Sequence, residues 1–272
     1  MAAAHPRFVV NCSVLLTELP LLQRPRAARA AGFDAVEFWW PFDDPVPPDA
    51  EVEAFVQAVE EAGVRLVALN FAGGDMAAGE RGLVSDPAHR EAFRDNVDIA
   101  LGIADRLGTK AFNALYGNRR SGLDPRVQDT TAVENLTYAA RRAADTDATI
   151  LIEPLSGVPG YPLKTAADAM SVIERVSGGS GLTSVKLLAD LYHLHVNGDD
   201  VAAVIDRYIA HIGHVQIADA PGRGAPGTGR MDIAGHLARL EQAGYHGRIS
   251  LEYQDHSPDP FAWLPAGWRT RR

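Results

Sequence analysis

A single cysteine, Cys12, in 272 residues excludes an intramolecular disulfide and any zinc site built from several cysteines of one chain. Free cysteine is an ordinary small core residue, so Cys12 reads as the packed end of a strand. Cationic side chains are in deficit: 26 Lys and Arg against 35 Asp and Glu leave a net charge of -9. That field repels phosphate backbones and anionic membranes, so neither nucleic acid nor a membrane is an expected partner. No apolar run approaches the ~20 residues of a membrane span. The start, MAAAHPRFVV, lacks the basic-then-apolar pattern of an export signal. A soluble cytoplasmic protein is expected. Histidine is scarce ahead of residue 153, where only His5 and His89 occur, and no low-complexity linker divides the chain. With 46% hydrophobic content to fill one large core, a single domain over residues 1–272 is expected.

What is present is a rhythm. RFVVNCS, DAVEFWWPF, RLVALNFAGG, KAFNALYG, TILIEP, SVKLLADLYH, IGHVQIAD and RISLEYQ are strand-length apolar runs, and a helix-sized segment divides each from the next. The strands centre near Val9, Val36, Val67, Phe112, Ile150, Leu187, Val215 and Ser250. Eight such units have the period of a (β/α)8 barrel, and Gly32, Gly63, Gly108 and Gly244 stand where helices end. The fold class read from this is α/β, a single (β/α)8 TIM barrel, with a doubly wound open sheet as the alternative. PFDDPVPPDA and NFAGGDMAAGERG both follow strands, which on a barrel puts them on the C-terminal face where sites are built. The loop from Phe71 to Asp86 is long enough to act as a lid.

Strands five to eight each end on an oxygen-bearing side chain: Glu153, Asp190, Gln216 and Glu252. In a parallel barrel these ends converge on one mouth, and three carboxylates plus an amide oxygen suit Mg²⁺ or Mn²⁺. Taken singly, Asp190 could cap the following helix and Gln216 could pair with backbone. Four at equivalent places on successive units favour a site. Two glutamates across one substrate could also shuttle a proton between neighbouring carbons, with the metal stabilising the enediolate. Asp190 and His193 form D-x-x-H, so His193 is either a capping or surface histidine or a donor to a substrate oxygen. Arg223, in DAPGRGAPGTGR, could fork onto a carboxylate or sit in a solvated turn. Glu80 and Arg81 divide between substrate contact and a structural ion pair. Of Trp39 and Trp40, one is expected in the core and one in the wall of the pocket.

These residues, with NCSVLLTELPLL, GFDAVEFWWPF, GDMAAGERG, FRDNVDIAL, VENLTYAA, LIEPL, DLYHLH, HVQIADAPGRGAPGTG and LEY, resemble the hydroxypyruvate isomerase family over nearly the whole chain. That family lies among the xylose isomerase-like barrels, which also hold ketose 3-epimerases and endonuclease IV. The resemblance implies Glu153 and Glu252 as the acid/base pair and Glu153, Asp190, Gln216 and Glu252 as metal ligands. It implies interconversion of hydroxypyruvate and tartronate semialdehyde; the carboxylate of such a substrate calls for a cationic side chain, for which Arg223, Arg81 or His193 could serve. One departure is Asn70, where the family has a histidine after the third strand; if that residue touches substrate, substrate choice changes. A small 2-oxo or hydroxy acid is the expected partner, and homo-oligomerisation is left open. The rival readings are a 2-oxo-tetronate isomerase, a ketose 3-epimerase and a non-catalytic sugar-acid binding protein. An endonuclease IV-like enzyme is disfavoured, because that family's histidine-rich zinc site has no counterpart on strands two to four.

Overall fold

The computed structural model of the protein describes residues 7–269. Eight parallel strands close into a barrel in chain order: β1 (Phe8–Asn11), β2 (Ala35–Phe38), β3 (Arg65–Asn70), β4 (Ala111–Asn113), β5 (Thr149–Ile152), β6 (Val185–Asp190), β7 (Ile212–Ile217) and β8 (Ile249–Leu251). Each of the eight strand centres read from the sequence falls inside one of them. Around the barrel lie α1 (Arg24–Ala30), α2 (Asp49–Ala62), α3 (Arg90–Leu107), α4 (Pro125–Ala144), α5 (Ala166–Ser180), α6 (Leu191–Val196), α7 (Val201–Tyr208) and α8 (Ile233–Gln242), with a short α9 (Ala266–Arg269) after β8. Among the described residues no helix is long and apolar enough to cross a membrane.

Strands covered on both faces read as continuous apolar runs, and the period-2 alternation decides which residues point where. Leu69, Phe112, Ile150, Ile152, Leu187 and Ala189 face the helices and belong to the main core. A separate small cluster of Ala68, Ala111, Leu151 and Leu188 packs on the opposite face, inside the barrel. Two residues further along the chain from these four come Asn70, Asn113, Glu153 and Asp190, so the same alternation aims them into the interior one level higher. The apolar layer is thus the floor on which a polar layer stands.

Helix α4 begins at Pro125, because the Asp124 side chain accepts the Arg126 N–H and Pro125 occupies the first helical position. One boundary differs from the sequence reading. The run SVKLLADLYH is not all strand: β6 stops at Asp190, whose side chain accepts the N–H groups of Tyr192 and His193 and starts α6. The expected helix ends hold at Gly63 and Gly108, left-handed caps with φ of 64° and 70°.

Candidate active site

Every strand of the barrel delivers a polar side chain at or near its C-terminal end. Asn11, Glu37, Asn70, Asn113, Asp190 and Gln216 lie on β1, β2, β3, β4, β6 and β7, and Glu153 and Glu252 follow the last residues of β5 and β8. All eight are buried. Register pairs Asn11 with Glu37, Asn70 with Asn113, and Asp190 with Gln216, so this is one ring rather than a scatter.

Glu153 is oriented by Asn113, whose Nδ2 donates to its Oε2 at 2.6 Å. Burial, and next the nearby Asp190, push the Glu153 carboxyl up to about 8, while the Asn113 hydrogen bond and Arg223 act in the opposite direction. Glu252 accepts from the indole N–H of Trp39 through Oε1 at 2.8 Å. Burial holds Glu252 well above the usual carboxylate range, opposed by Arg223 and reinforced by Glu153 and Asp190. Both glutamates are therefore poised to carry protons rather than to be permanently ionised.

Asp190 takes the capping role that its sequence position allowed. Its Oδ1 caps α6, accepting the N–H groups of Tyr192 at 2.8 Å and His193 at 3.2 Å. Its Oδ2 faces the His193 Nε2 and the Arg223 Nη2, each at 3.6 Å. The first turn of α6 folds His193 back over the site, where Nε2 also lies 4.0 Å from Glu153 Oε1. Because Ser156 donates its backbone N–H to His193 Nδ1 at 3.1 Å, the ring proton of neutral His193 belongs on Nε2, facing the carboxylates. Burial lowers the His193 pKa to about 4, so at neutral pH the ring is a neutral donor and not a cation.

Arg223 reaches in from the loop after β7. Its Nη2 lies 3.4 Å from Glu252 Oε1, and its guanidinium stands over the ring of Tyr192. Burial alone would lower its pKa, but Glu252, Asp190 and Glu153 outweigh that and keep it charged. The backbone of Arg223 is left-handed, with φ of 55°, uncommon for a residue with a side chain. Asp219 holds this loop in shape: its carboxylate accepts the N–H groups of Gly227, Gly229 and Met231, and its backbone bridges to Gly224.

The ring opens on a cavity of about 460 Å³ whose walls include Glu153, Glu252, His193, Arg223, Arg81 and Asn70. All four residues read as substrate contacts thus border one space together with both glutamates, whereas Asp190 and Gln216 are buried and do not line it. Glu80 takes the structural role, pairing with Arg120 at 3.0 Å. Arg81 donates to the carbonyls of Met76 and Glu80 and, among the described residues, makes no ion pair. Trp39 forms wall, and Trp40 packs edge-on against Phe42 at the margin of the core. The loop read as a lid borders the cavity through Met76, Ala77 and Arg81. It is tied down by the Gly82 N–H on the Gly73 carbonyl and the Ser85 N–H on that of Tyr116.

The donor set can be tested against a divalent cation by its hydrogen bonding. Asp190 Oδ2, Gln216 Oε1 and Glu252 Oε2 are buried and have no hydrogen-bond partner. Such oxygens are costly unless something meets them, and three in one ring meet a cation better than they meet water or one another. Glu153 and Asp190 also bring one carboxylate oxygen each within 4.8 Å of one another, while His193 presents its Nε2–H there as a donor rather than a ligand. Three carboxylates against the single guanidinium of Arg223 leave negative charge uncompensated, so the residues fit an oxygen-preferring divalent ion.

Sequence reasoning missed Glu37, Asn113, Ser156 and Asp219 and did not see the hydrogen bond from Trp39 to Glu252. The signal for Glu37 and Asn113, a polar residue near the end of an apolar strand, was weak: Phe38 continues the run past Glu37, and asparagine at a strand end is also what a turn carries.

The description of the xylose isomerase-like TIM barrel family matches residues 25–270. A Streptomyces coelicolor protein named "Putative hydroxypyruvate isomerase" is 51% identical over 100% of both chains. The hydroxypyruvate isomerase of Escherichia coli is 34% identical over 91% of this chain and 93% of its own. The 2-oxo-tetronate isomerase of Cupriavidus necator is 36% identical over 92% and 93%. With the closed barrel and its ring of carboxylates, these matches show that the chain belongs to the xylose isomerase-like TIM barrel family, in its hydroxypyruvate isomerase branch, and is an isomerase.

Proposed function

We propose that the protein interconverts hydroxypyruvate and 2-hydroxy-3-oxopropanoate by moving a proton between neighbouring carbons of the substrate. The observation that carries this is the pair of buried glutamates, Glu153 and Glu252, which come from strands far apart around the barrel and open on one cavity. Burial holds each above the usual carboxylate range, which favours a held proton over the ionised form of an exposed carboxylate. One takes a proton from C3 as the other delivers one to C2, the hydroxyl proton passes from the C3 oxygen to the C2 oxygen, and the reverse reaction exchanges the roles of the two glutamates.

The substrate carboxylate needs a cation, and Arg223 and Arg81 both line the cavity. His193, neutral with its proton on Nε2, can donate to a substrate oxygen without adding charge to the site. Mg²⁺ or Mn²⁺ held by Glu153, Asp190, Gln216 and Glu252 would supply positive charge against the negative charge that develops when a proton leaves carbon. Asn113 and Trp39 keep the two glutamates at fixed angles to whatever lies between them.

A four-carbon 2-oxo acid is the second reading, since a 2-oxo-tetronate isomerase matches as well as a hydroxypyruvate isomerase does. The deciding experiment supplies the Mg²⁺-loaded or Mn²⁺-loaded protein with hydroxypyruvate, 2-oxo-tetronate and free ketoses in parallel, and follows products and solvent-deuterium incorporation by NMR. Turnover of hydroxypyruvate with deuterium entering at C2 is expected. Turnover of ketoses alone would overturn the reading, and turnover of 2-oxo-tetronate alone would move it to the four-carbon acid.

A further inference from the structure

Within the ring, Glu37 collects three donors from three other strand positions. Its Oε1 accepts the Asn11 Nδ2 at 2.9 Å and the Gln216 Nε2 at 2.5 Å, and its Oε2 meets the His214 Nε2 at 2.5 Å. None of Glu37, Asn11, His214 or Gln216 is more than 5% exposed. His214 and Gln216 are two residues apart on β7 and so point the same way, across the barrel interior to β2. Glu37 does not border the reaction cavity.

Gln216 is the one member of the oxygen set whose ligating atom is not fixed by its own chemistry. A carboxylate presents oxygen whichever way it turns, whereas an amide turned over presents an N–H₂ group, which repels a cation. The Glu37 Oε1 already accepts from the Asn11 Nδ2 and so faces Gln216 as an acceptor, which turns the Gln216 amide nitrogen toward Glu37 and its oxygen away. The oxygen so turned is Oε1, buried and without a hydrogen-bond partner. Beside it in the strand register is Asp190, whose Oδ2 is in the same condition.

We propose that Glu37 is a positioning residue: by accepting the Gln216 amide N–H, it fixes the Gln216 carbonyl oxygen as the atom offered to the divalent cation. This rests on the cation reading under Proposed function. It extends that reading to a residue that touches neither substrate nor metal, and it explains a buried carboxyl group that the proton shuttle does not use. Outer partners of this kind alter metal affinity by about 10- to 100-fold when they are changed.

The test is a double-mutant cycle read as Mn²⁺ affinity, measured by electron paramagnetic resonance of free Mn²⁺ over metal-stripped protein, with thermal unfolding of each metal-free variant as the fold control. Gln216→Glu alone adds a charged ligand but sets two carboxylates face to face. Adding Glu37→Gln restores a donor–acceptor pair with the polarity reversed. The double variant is expected to bind Mn²⁺ at least tenfold more tightly than Gln216→Glu alone. Equal affinity in the two, or tighter binding by the single variant, would overturn the assignment. If Gln216→Glu does not fold, Glu37→Asp serves instead: it keeps the charge but draws the acceptor back by one methylene, and Mn²⁺ affinity should fall about tenfold. Unchanged affinity there would also overturn it. Asp190→Asn separates the two levels of argument: if it abolishes Mn²⁺ binding while the cycle shows no coupling, the cation reading stands and only the role of Glu37 falls. Absence of Mn²⁺ binding by the parent protein removes both.

Discussion

The first four strands and the last four end in different chemistry. Around β1 to β4 the ring carries Asn11, Glu37, Asn70 and Asn113; around β5 to β8 it carries Glu153, Asp190, Gln216 and Glu252. The carboxylates that border the cavity come from the second half, and much of what holds them comes from the first, in the bonds from Asn113 to Glu153 and Trp39 to Glu252 and in the contact of Gln216 with Glu37. A charge-rich half alone would repel itself. A half of amides, one carboxylate and an indole sets the angles at which those charges can stand together.

The comparison breaks most sharply in the second half. Glu153→Gln and Glu252→Gln keep shape and hydrogen-bonding capacity but remove proton transfer, so each should cost roughly 10³-fold or more in kcat. Single-turnover NMR in deuterated solvent checks this, and full exchange of the substrate C–H in either variant would remove that glutamate from the shuttle.

A pH series separates charge from shape in the same half. In the metal-free protein Glu153 is raised to about 8, so a cation must displace its proton at neutral pH. Apparent Mn²⁺ affinity should therefore climb between pH 6 and 8, by up to about tenfold per pH unit for one displaced proton, and level off above. The folded state binds that proton more tightly than the unfolded chain, so metal-free stability should fall as pH rises through the same window and recover when Mn²⁺ is added. Calorimetry in buffers of different ionisation enthalpy counts the proton, and a pH-independent affinity would contradict a shared Glu153.

The first half offers a smaller effect. Asn113→Leu removes a 2.6 Å hydrogen bond to Glu153 Oε2 in a fully buried setting. Hydrogen bonds to charged groups contribute about 1.5–3 kcal/mol, so kcat should fall roughly 10- to 100-fold. Because that bond lowers the Glu153 pKa, its loss should also move the onset of Mn²⁺ binding to higher pH.

This division also explains what could be read from the sequence. All eight strands were legible because strands covered on both faces leave unbroken apolar runs. Glu153, Asp190 and Glu252 stood out because a charge at the end of such a run is an anomaly. Asn11 and Asn113 were not legible, since asparagine after a strand is what an ordinary turn would carry. Glu37 was obscured because Phe38 continues the apolar run past it. Helix α6 was read into β6 because LYHLHV lacks a breaker, and only the Asp190 side chain, folded onto two N–H groups, marks the boundary.

The smallest expected effect tests whether the two halves are joined as described. Trp39→Phe keeps an aromatic wall but deletes the N–H that reaches Glu252 Oε1 at 2.8 Å. Arg223 still lies 3.4 Å from the same oxygen, so Glu252 keeps a cationic neighbour and loses only an angular restraint. A net loss of about 1 kcal/mol corresponds to roughly fivefold in kcat, with KM little changed because the wall survives. Trp39→Ala would open the cavity as well and raise KM. A kcat equal to the parent's in Trp39→Phe would mean that Arg223 alone orients Glu252, and that this link between the halves is packing rather than hydrogen bonding.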